Sequence, residues 1–195
     1  HMMFKGTKNF GTLDVAKDAK LQQQIEAAYQ IILSEQQKRS PDEKRIQKKR
    51  AEMAKLRAEV QKNYVPQAFS SQLGKIGAVG VNAFTSKDQT QYMASVPSDM
   101  LEQWFSIISE QIFEPSWREF YVEKEVVQRE WAFRYINDSG GAAWLDLNAT
   151  AYTAHPYRNP TIGGKSDMEK YSTRAAIDFH QKYYHPAHAV CVLVD

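Results

Sequence analysis

The sequence predicts an α+β fold, with helices packed on one face of a mixed, largely antiparallel sheet. Three observations predict it. Apolar residues recur at helical spacing through residues 20–62. The pattern changes to period two between Gly74 and Pro97. Helical spacing then returns and gives way to a continuous apolar run, Ala189–Val194.

The elements follow in order. After a turn-rich stretch at Lys8–Thr12, the residues Leu21, Ile25, Ala28, Tyr29 and Ile32 share one helical face. Lys38-Arg39-Ser40-Pro41 breaks the pattern. Ser40 with Glu43 three residues later, and Pro41 in the first helical position, reads as a capping box. The helix it opens carries Ile46, Met53, Leu56 and Val60 on one stripe. Residues 20–62 are therefore expected to form a helical hairpin, with Pro66 just beyond it. Val79, Val81 and Ala83 alternate, as do Tyr92, Ala94 and Val96, on either side of a turn-like Thr85–Thr90, which predicts a β-hairpin. Leu101, Trp104, Phe105 and Ile108 predict a helix. The next is expected to start near Ser116, with Glu119 as capping partner, and to run to Ile136, where Asn137–Gly141 ends it. A short helix over 142–151, a loop at His155–Pro160, a helix over Ser172–Tyr183 and a buried strand at Ala189–Val194 complete the reading. There is no internal repeat. The whole chain, 1–195, is expected to be one incomplete domain.

Composition excludes several function classes. The net charge of +2 gives no global field for nucleic acid or membrane. The single cysteine, Cys191, excludes an internal disulfide and a cysteine-based zinc site. No apolar run approaches the roughly 20 residues needed to span a bilayer. Between Lys38 and Lys62, ten Lys/Arg stand against four acidic residues. A basic helix can track phosphates. Here the cations alternate with Glu around the helix and only Tyr64 is a nearby aromatic, so a solvated face is the better reading.

Glu123 and Glu130 lie seven residues apart, two helical turns, so both project from one face. Glu125 sits about 200° round the helix from Glu123. Taken alone, such a Glu-Lys-Glu run is an ordinary solvated face.

Four segments in order resemble the pitrilysin/insulinase zinc metallopeptidases of the H-x-x-E-H type. His1-Met2-Met3-Phe4-Lys5-Gly6-Thr7 matches the end of the motif H-x-x-E-H-M-x-F-K-G-T. Gly80-Val81-Asn82-Ala83-Phe84-Thr85-Ser86, with the return strand Gln91–Ala94, matches the edge strand beside the metal. Glu123–Glu130 matches the third-ligand helix. His155-Pro156-Tyr157, Pro160–Gly163, Phe179–Pro186 and Val192–Asp195 match a structural signature, without the glycine that usually precedes the final Asp. The resemblance runs through nearly all of the chain and is weak over residues 20–70.

The resemblance implies a pitrilysin/mitochondrial processing peptidase-like fold and a zinc-dependent endopeptidase. His1 would be the second metal-ligating histidine and Glu130 the third zinc ligand, with Glu123 a supporting carboxylate. The first histidine and the general-base glutamate would stand just before His1. A His-Met start is also a common cloning remnant; His1 would then not be a native ligand, and the family assignment would stand. Zn2+ is the implied cofactor. Peptide substrates would add as a strand to the edge formed by Asn82, Ala83, Phe84 and Thr85, inside a chamber closed by a second homologous half in the same chain or a partner subunit. The alternative is a non-catalytic paralogue that serves as the partner or scaffold half. With only His1 and Glu130 as ligands, the chain by itself is expected to be inactive. No compartment is assigned, although an exported bacterial parent would place it in the periplasm or cell envelope. His155 is read as a hydrogen-bonded structural residue. His180, His185 and His188 are not expected to bind a second metal, because Pro186 interrupts any helix joining the last two.

Overall fold

A computed structural model describes residues 1–194. The chain divides into two compact units. One contains His1–Gly77, Val96–Phe120 and the residues from Ser172 onward. The other contains Ala78–Ser95 and Tyr121–Tyr171.

In the first unit, helix α1 spans Val15–Gln36 and α2 spans Glu43–Asn63. Asp14 caps α1, its Oδ1 accepting from the Lys17 N–H at 2.9 Å. Helix α2 is capped by Asp42, not by Ser40: Asp42 Oδ1 accepts from the Arg45 N–H at 3.0 Å. Aspartate caps as well as serine, and its position leaves Pro41 outside the helix. The two helices are antiparallel and bury Leu21, Ile25, Ala28 and Ile32 against Ile46, Met53 and Val60.

Polar contacts pin both ends of this pair. At one end the Asn63 amide donates to Thr12 Oγ1 and to the Asp14 carbonyl, both at 2.7 Å, and its oxygen accepts from the Asp14 N–H at 3.0 Å. At the other, the buried Glu35 Oε1 accepts from Lys38 Nζ and Arg45 Nη1, both at 2.7 Å. Further along α2, Lys49 pairs with Glu52 and Lys62 with Glu59. The basic stretch is thus a salt-bridged surface.

Helix α3, Ala68–Lys75, buries Phe69 and Leu73. The hairpin in the second unit pairs β1, Val79–Thr85, with β2, Thr90–Ser95, in antiparallel fashion. The register runs Asn82 to Met93, Ala83 to Tyr92, Phe84 to Gln91 and Thr85 to Thr90, with a bulge before Asn82. Gly80 takes φ +64° at that bulge, a conformation glycine adopts without strain. The fold is α+β as expected, and the two described strands contain no parallel pairing.

Helix α4 spans Leu101–Phe113 in the first unit. Helix α5 spans Phe120–Tyr135 and starts later than the expected Ser116. Pro115 and Ser116 make extended contacts, Thr7 bridging to Pro115 and the Ser116 N–H donating to the Gly6 carbonyl at 3.0 Å, and Trp117–Phe120 then forms a turn closed by the Phe120 N–H on the Trp117 carbonyl at 3.3 Å. Glu119 then adopts φ +60°, which a helix cannot continue through. Instead of capping, its carboxylate receives Lys5 Nζ at 3.2 Å and the Gln61 amide.

In the second unit, helix α6 spans Ser139–Ala151, capped by Asp138 through the Gly140 and Gly141 N–H groups at 3.1 and 3.2 Å. A Cβ on Gly141 would lie 1.8 Å from the Arg134 carbonyl oxygen, so this turn admits only glycine. A short helix, α7, spans Lys165–Lys170 and was not anticipated from the sequence. In the first unit, α8 spans Thr173–Tyr183, capped by Ser172.

The expected buried strand at Ala189–Val194 is not formed. These residues carry no strand pairing, and Val190 and Val192 are 89% and 75% exposed. An apolar run becomes a strand only where a neighbour pairs its backbone. Neither β1 nor β2 does so. Asp195, the last residue of the signature, lies outside the described residues. Among the described residues, no helix is long and apolar enough to cross a membrane.

The Glu35 cluster yields a pH prediction. The Lys38 hydrogen bond, aided by the charges of Lys38 and Arg45, holds the Glu35 carboxyl below its usual range. A depressed folded-state pKa gives stability that is present above the ordinary glutamate value and lost as pH falls through the lowered one. Glu35→Gln is therefore expected to lower Tm at neutral pH, and the gap from wild type is expected to close as pH falls through that window. Thermal unfolding followed by circular dichroism across pH checks this.

Candidate active-site elements

In the first unit, the segment following His1 is fixed by an unusual density of contacts. His1 is exposed and precedes a 3-10 turn, Met2–Phe4. Met3 is buried, and the Phe4 and Phe10 rings pack on Phe69 with centroids 5.9 and 6.1 Å away. Thr7 is fully buried and donates its hydroxyl to Glu110 at 2.9 Å.

The organising residue is Arg118, only 1% exposed. Its Nη1 donates to the carbonyls of Lys5 at 2.9 Å and Phe10 at 3.4 Å, and its Nη2 to that of Thr7 at 3.2 Å. Its Nε faces Asp18 Oδ2 at 3.4 Å. The loop wraps the guanidinium so closely that a Cβ on Gly11, at φ +107°, would lie 2.4 Å from Nη1. Sequence reasoning missed Arg118. The available signal was a lone cation in the aromatic stretch Trp117–Tyr121, flanked by distant glycines.

His180 belongs to this unit and is buried. Its Nε2 lies 2.7 Å from the Ile112 carbonyl oxygen, and its ring packs against Trp117 and Tyr184.

In the second unit, α5 carries Glu123 and Glu130 two turns apart, both half-buried, while Glu125 is exposed. Glu130 Oε1 lies 2.6 Å from Arg134 Nη2, one turn on. Between the glutamates, Lys124 donates to the carbonyls of Glu169 at 2.8 Å and Tyr171 at 2.9 Å, covering the C-terminal end of α7. Burial pushes its ammonium pKa down to about 8, against the opposing charge of Glu169.

On β1, Asn82, Phe84 and Thr85 are exposed and Ala83 is half-buried; the Phe84 ring is 47% accessible. Asn82 Oδ1 accepts from the Ala83 N–H at 2.8 Å. Among the described residues β1 pairs with β2 alone, which leaves its other edge without a strand.

The structure brings Glu123, Glu130 and Asn82–Thr85 into one unit and places His1 in the other. Among the described residues, no group of three or more His, Cys, Asp or Glu side chains that could hold a metal comes together.

The sequence model of the Insulinase family (Peptidase family M16) matches residues 61–165, just over half of the chain, and the chain belongs to that family. The matched span includes Asn82–Thr85, Glu123 and Glu130, but not His1. The chain is 29% identical over 135 residues to the zinc protease PqqE of Helicobacter pylori, an alignment covering 68% of this chain and 30% of that protein. It also resembles a protease from Helicobacter pylori known from its crystal structure, with a TM-score of 0.58 and 28% identity over 63% of this chain and 30% of that one. The chain therefore spans 30% of the length of these relatives.

Arg118→Met is expected to destabilise the protein by about 3–5 kcal/mol, because Asp18 and three carbonyls lose the donor they surround. Gly11→Ala is expected to destabilise it too, since the new Cβ meets both the guanidinium and a positive φ. Urea unfolding measures both; unchanged midpoints would contradict this account of the loop.

Proposed function

We propose that the chain, 1–195, is a peptidase N-terminal domain that acts within a zinc-dependent endopeptidase. The observation that carries this reading is the family-matched helix α5, where Glu123 and Glu130 share a half-buried face and Glu125 stands in solvent.

The donor chemistry fits zinc. A neutral imidazole and a carboxylate are ordinary ligands for this ion, and a catalytic site needs three protein ligands with a fourth position open. His1 and Glu130 would supply two. The family motif has the remaining ligand, a histidine, four residues before the His1 position and the general-base glutamate directly before it. When bound, zinc supplies an electrophile for the scissile carbonyl and lowers the pKa of its water to near neutral.

The chain's own residues do the rest. Arg134 orients the Glu130 carboxylate through their 2.6 Å contact. Glu123, two turns away on the same face, adds negative charge that supports the cation. The open edge of β1 takes an unstructured peptide as an added strand through main-chain hydrogen bonds. Backbone pairing reads no side chains, so many sequences are accepted. Asn82, Ala83 and Thr85 contact the peptide along this edge, and the exposed Phe84 ring lines a side-chain pocket. A second homologous half, in the same chain or in a partner subunit, closes the chamber.

In the full-length protein, Glu130→Gln is expected to abolish zinc-dependent peptide cleavage. Glu123→Gln is expected to reduce it by about 10- to 100-fold, as removal of a residue supporting a metal ligand does. Glu125→Gln should cleave at the wild-type rate. Equal losses from Glu125→Gln and Glu130→Gln would overturn the assignment, and a zinc-free wild type without activity would point to a non-catalytic partner half.

A further inference from the structure

The His155-Pro156-Tyr157 motif has a structural consequence within the second unit. It opens a 3-10 turn, Pro156–Arg158. His155 caps that turn, its Nδ1 accepting from the Tyr157 N–H at 3.2 Å. Pro156 stands at the start of the turn, where its missing N–H is not needed. The His155 and Tyr157 rings meet edge to face with centroids 4.5 Å apart, and Tyr152 packs on Tyr157 at 5.8 Å. The three residues thus act together to set the direction of the Tyr157 side chain.

That side chain reaches the tip of the β-hairpin. The Tyr157 hydroxyl lies 2.7 Å from each carboxylate oxygen of Asp88. The neighbouring turn residue, Lys87, donates to the Tyr157 carbonyl at 3.0 Å and to the Asn159 carbonyl. Two consecutive turn residues therefore grip one loop by different chemistry. The turn is closed from within by Ser86, whose N–H donates to the Gln89 carbonyl at 2.8 Å and whose Oγ accepts from the N–H groups of Asp88 and Gln89 at 3.3 Å. Thr85 stands directly before Ser86, its hydroxyl 3.2 Å from that of Thr90.

A two-stranded hairpin is marginally stable in water by itself. Here both strands are largely exposed, so internal pairing alone leaves the tip free to fray. A strand that must accept a peptide backbone binds more tightly when it is ordered beforehand, because ordering it at the moment of binding opposes association.

We infer that Tyr157, together with Asp88 and Lys87, is a positioning clamp that holds the Asn82–Thr85 edge in register for the incoming peptide. The inference rests on the strand-addition reading of β1. The clamp acts on peptide binding and touches neither the metal ligands nor the reacting bond, so it sets KM and leaves kcat alone.

The test uses the full-length, zinc-supplemented protein and a quenched-fluorescent unstructured peptide. Tyr157→Phe removes the hydroxyl donor and keeps the ring packing; Asp88→Ala removes the acceptor. Each is expected to raise KM about fivefold, with kcat and zinc content unchanged. The double variant is expected to be no worse than either single one, because both remove the same contact. Amide hydrogen exchange along Ala83–Thr85 should quicken in all three variants. Variants that cleave with the wild-type KM, or that change kcat alone, would overturn the clamp and leave the peptidase reading intact. A zinc-loaded wild type that cleaves no peptide would overturn the peptidase reading and the clamp with it.

Discussion

A guanidinium carried into the interior must find partners for all its donors, because an unpaired buried cation is worth several kcal/mol of instability. Arg118 has four such partners, the carbonyls of Lys5, Thr7 and Phe10 and the Asp18 carboxylate. This single requirement shapes much of the first unit. The loop must curl with its carbonyls inward, which calls for positive φ at Gly6 and Gly11. Helix α1 must present Asp18 at its first turn. The chain before α5 must stay out of the helix to deliver Arg118 from a turn, and helix formation waits until after Glu119. Because three carbonyls face one planar group, the loop cannot slide without leaving hydrogen bonds unmade. The segment bearing His1 is therefore anchored a few residues downstream, by packing of Met3 and Phe4 and then by the Arg118 cradle.

The second unit achieves order differently. Its polar contacts are largely exposed, and each surface ion pair or hydrogen bond contributes little, about 0–1 kcal/mol. Order comes from placing them where the backbone would otherwise fray: Asp138 at the head of α6, Lys124 across the end of α7, and Lys87 and Asp88 at the hairpin tip. Glu130 and Arg134 fit the same pattern on α5. If β1 takes a peptide as proposed, it needs an open edge, and an open edge gives up the pairing that would have stabilised it. Fastening the tip rather than the edge resolves that conflict.

Local periodicity made the repetitive elements legible in the sequence. The stripe from Leu21 to Ile32, the alternation around Val79–Val96 and the two-turn spacing of Glu123 and Glu130 each lie within one element, where 3.6- and 2-residue repeats apply. Boundaries were less legible, since several residues competed for the same role. Asp42 capped α2 in place of Ser40, and Glu119 left the helix it was expected to cap because Lys5 and Gln61 claimed its carboxylate. Ala189–Val194 has the composition of a strand, yet pairing is a property of a neighbour and not of the run itself. Arg118 and the Tyr157–Asp88 contact were not legible, because their partners lie 69 to 113 residues away and leave no periodic trace. The roles proposed for His1, Glu123, Glu130 and Asn82–Thr85 rest on motif resemblance, since spacing alone does not separate them from a solvated helix face and an ordinary hairpin.

The proposed function depends first on Glu130, on α5, being a zinc ligand. Elemental analysis of the purified full-length protein tests it most directly. One zinc per chain is expected in the wild type, lost in Glu130→Gln while circular dichroism shows the fold retained. A folded wild type without zinc, or zinc retained at full stoichiometry in Glu130→Gln, would contradict it.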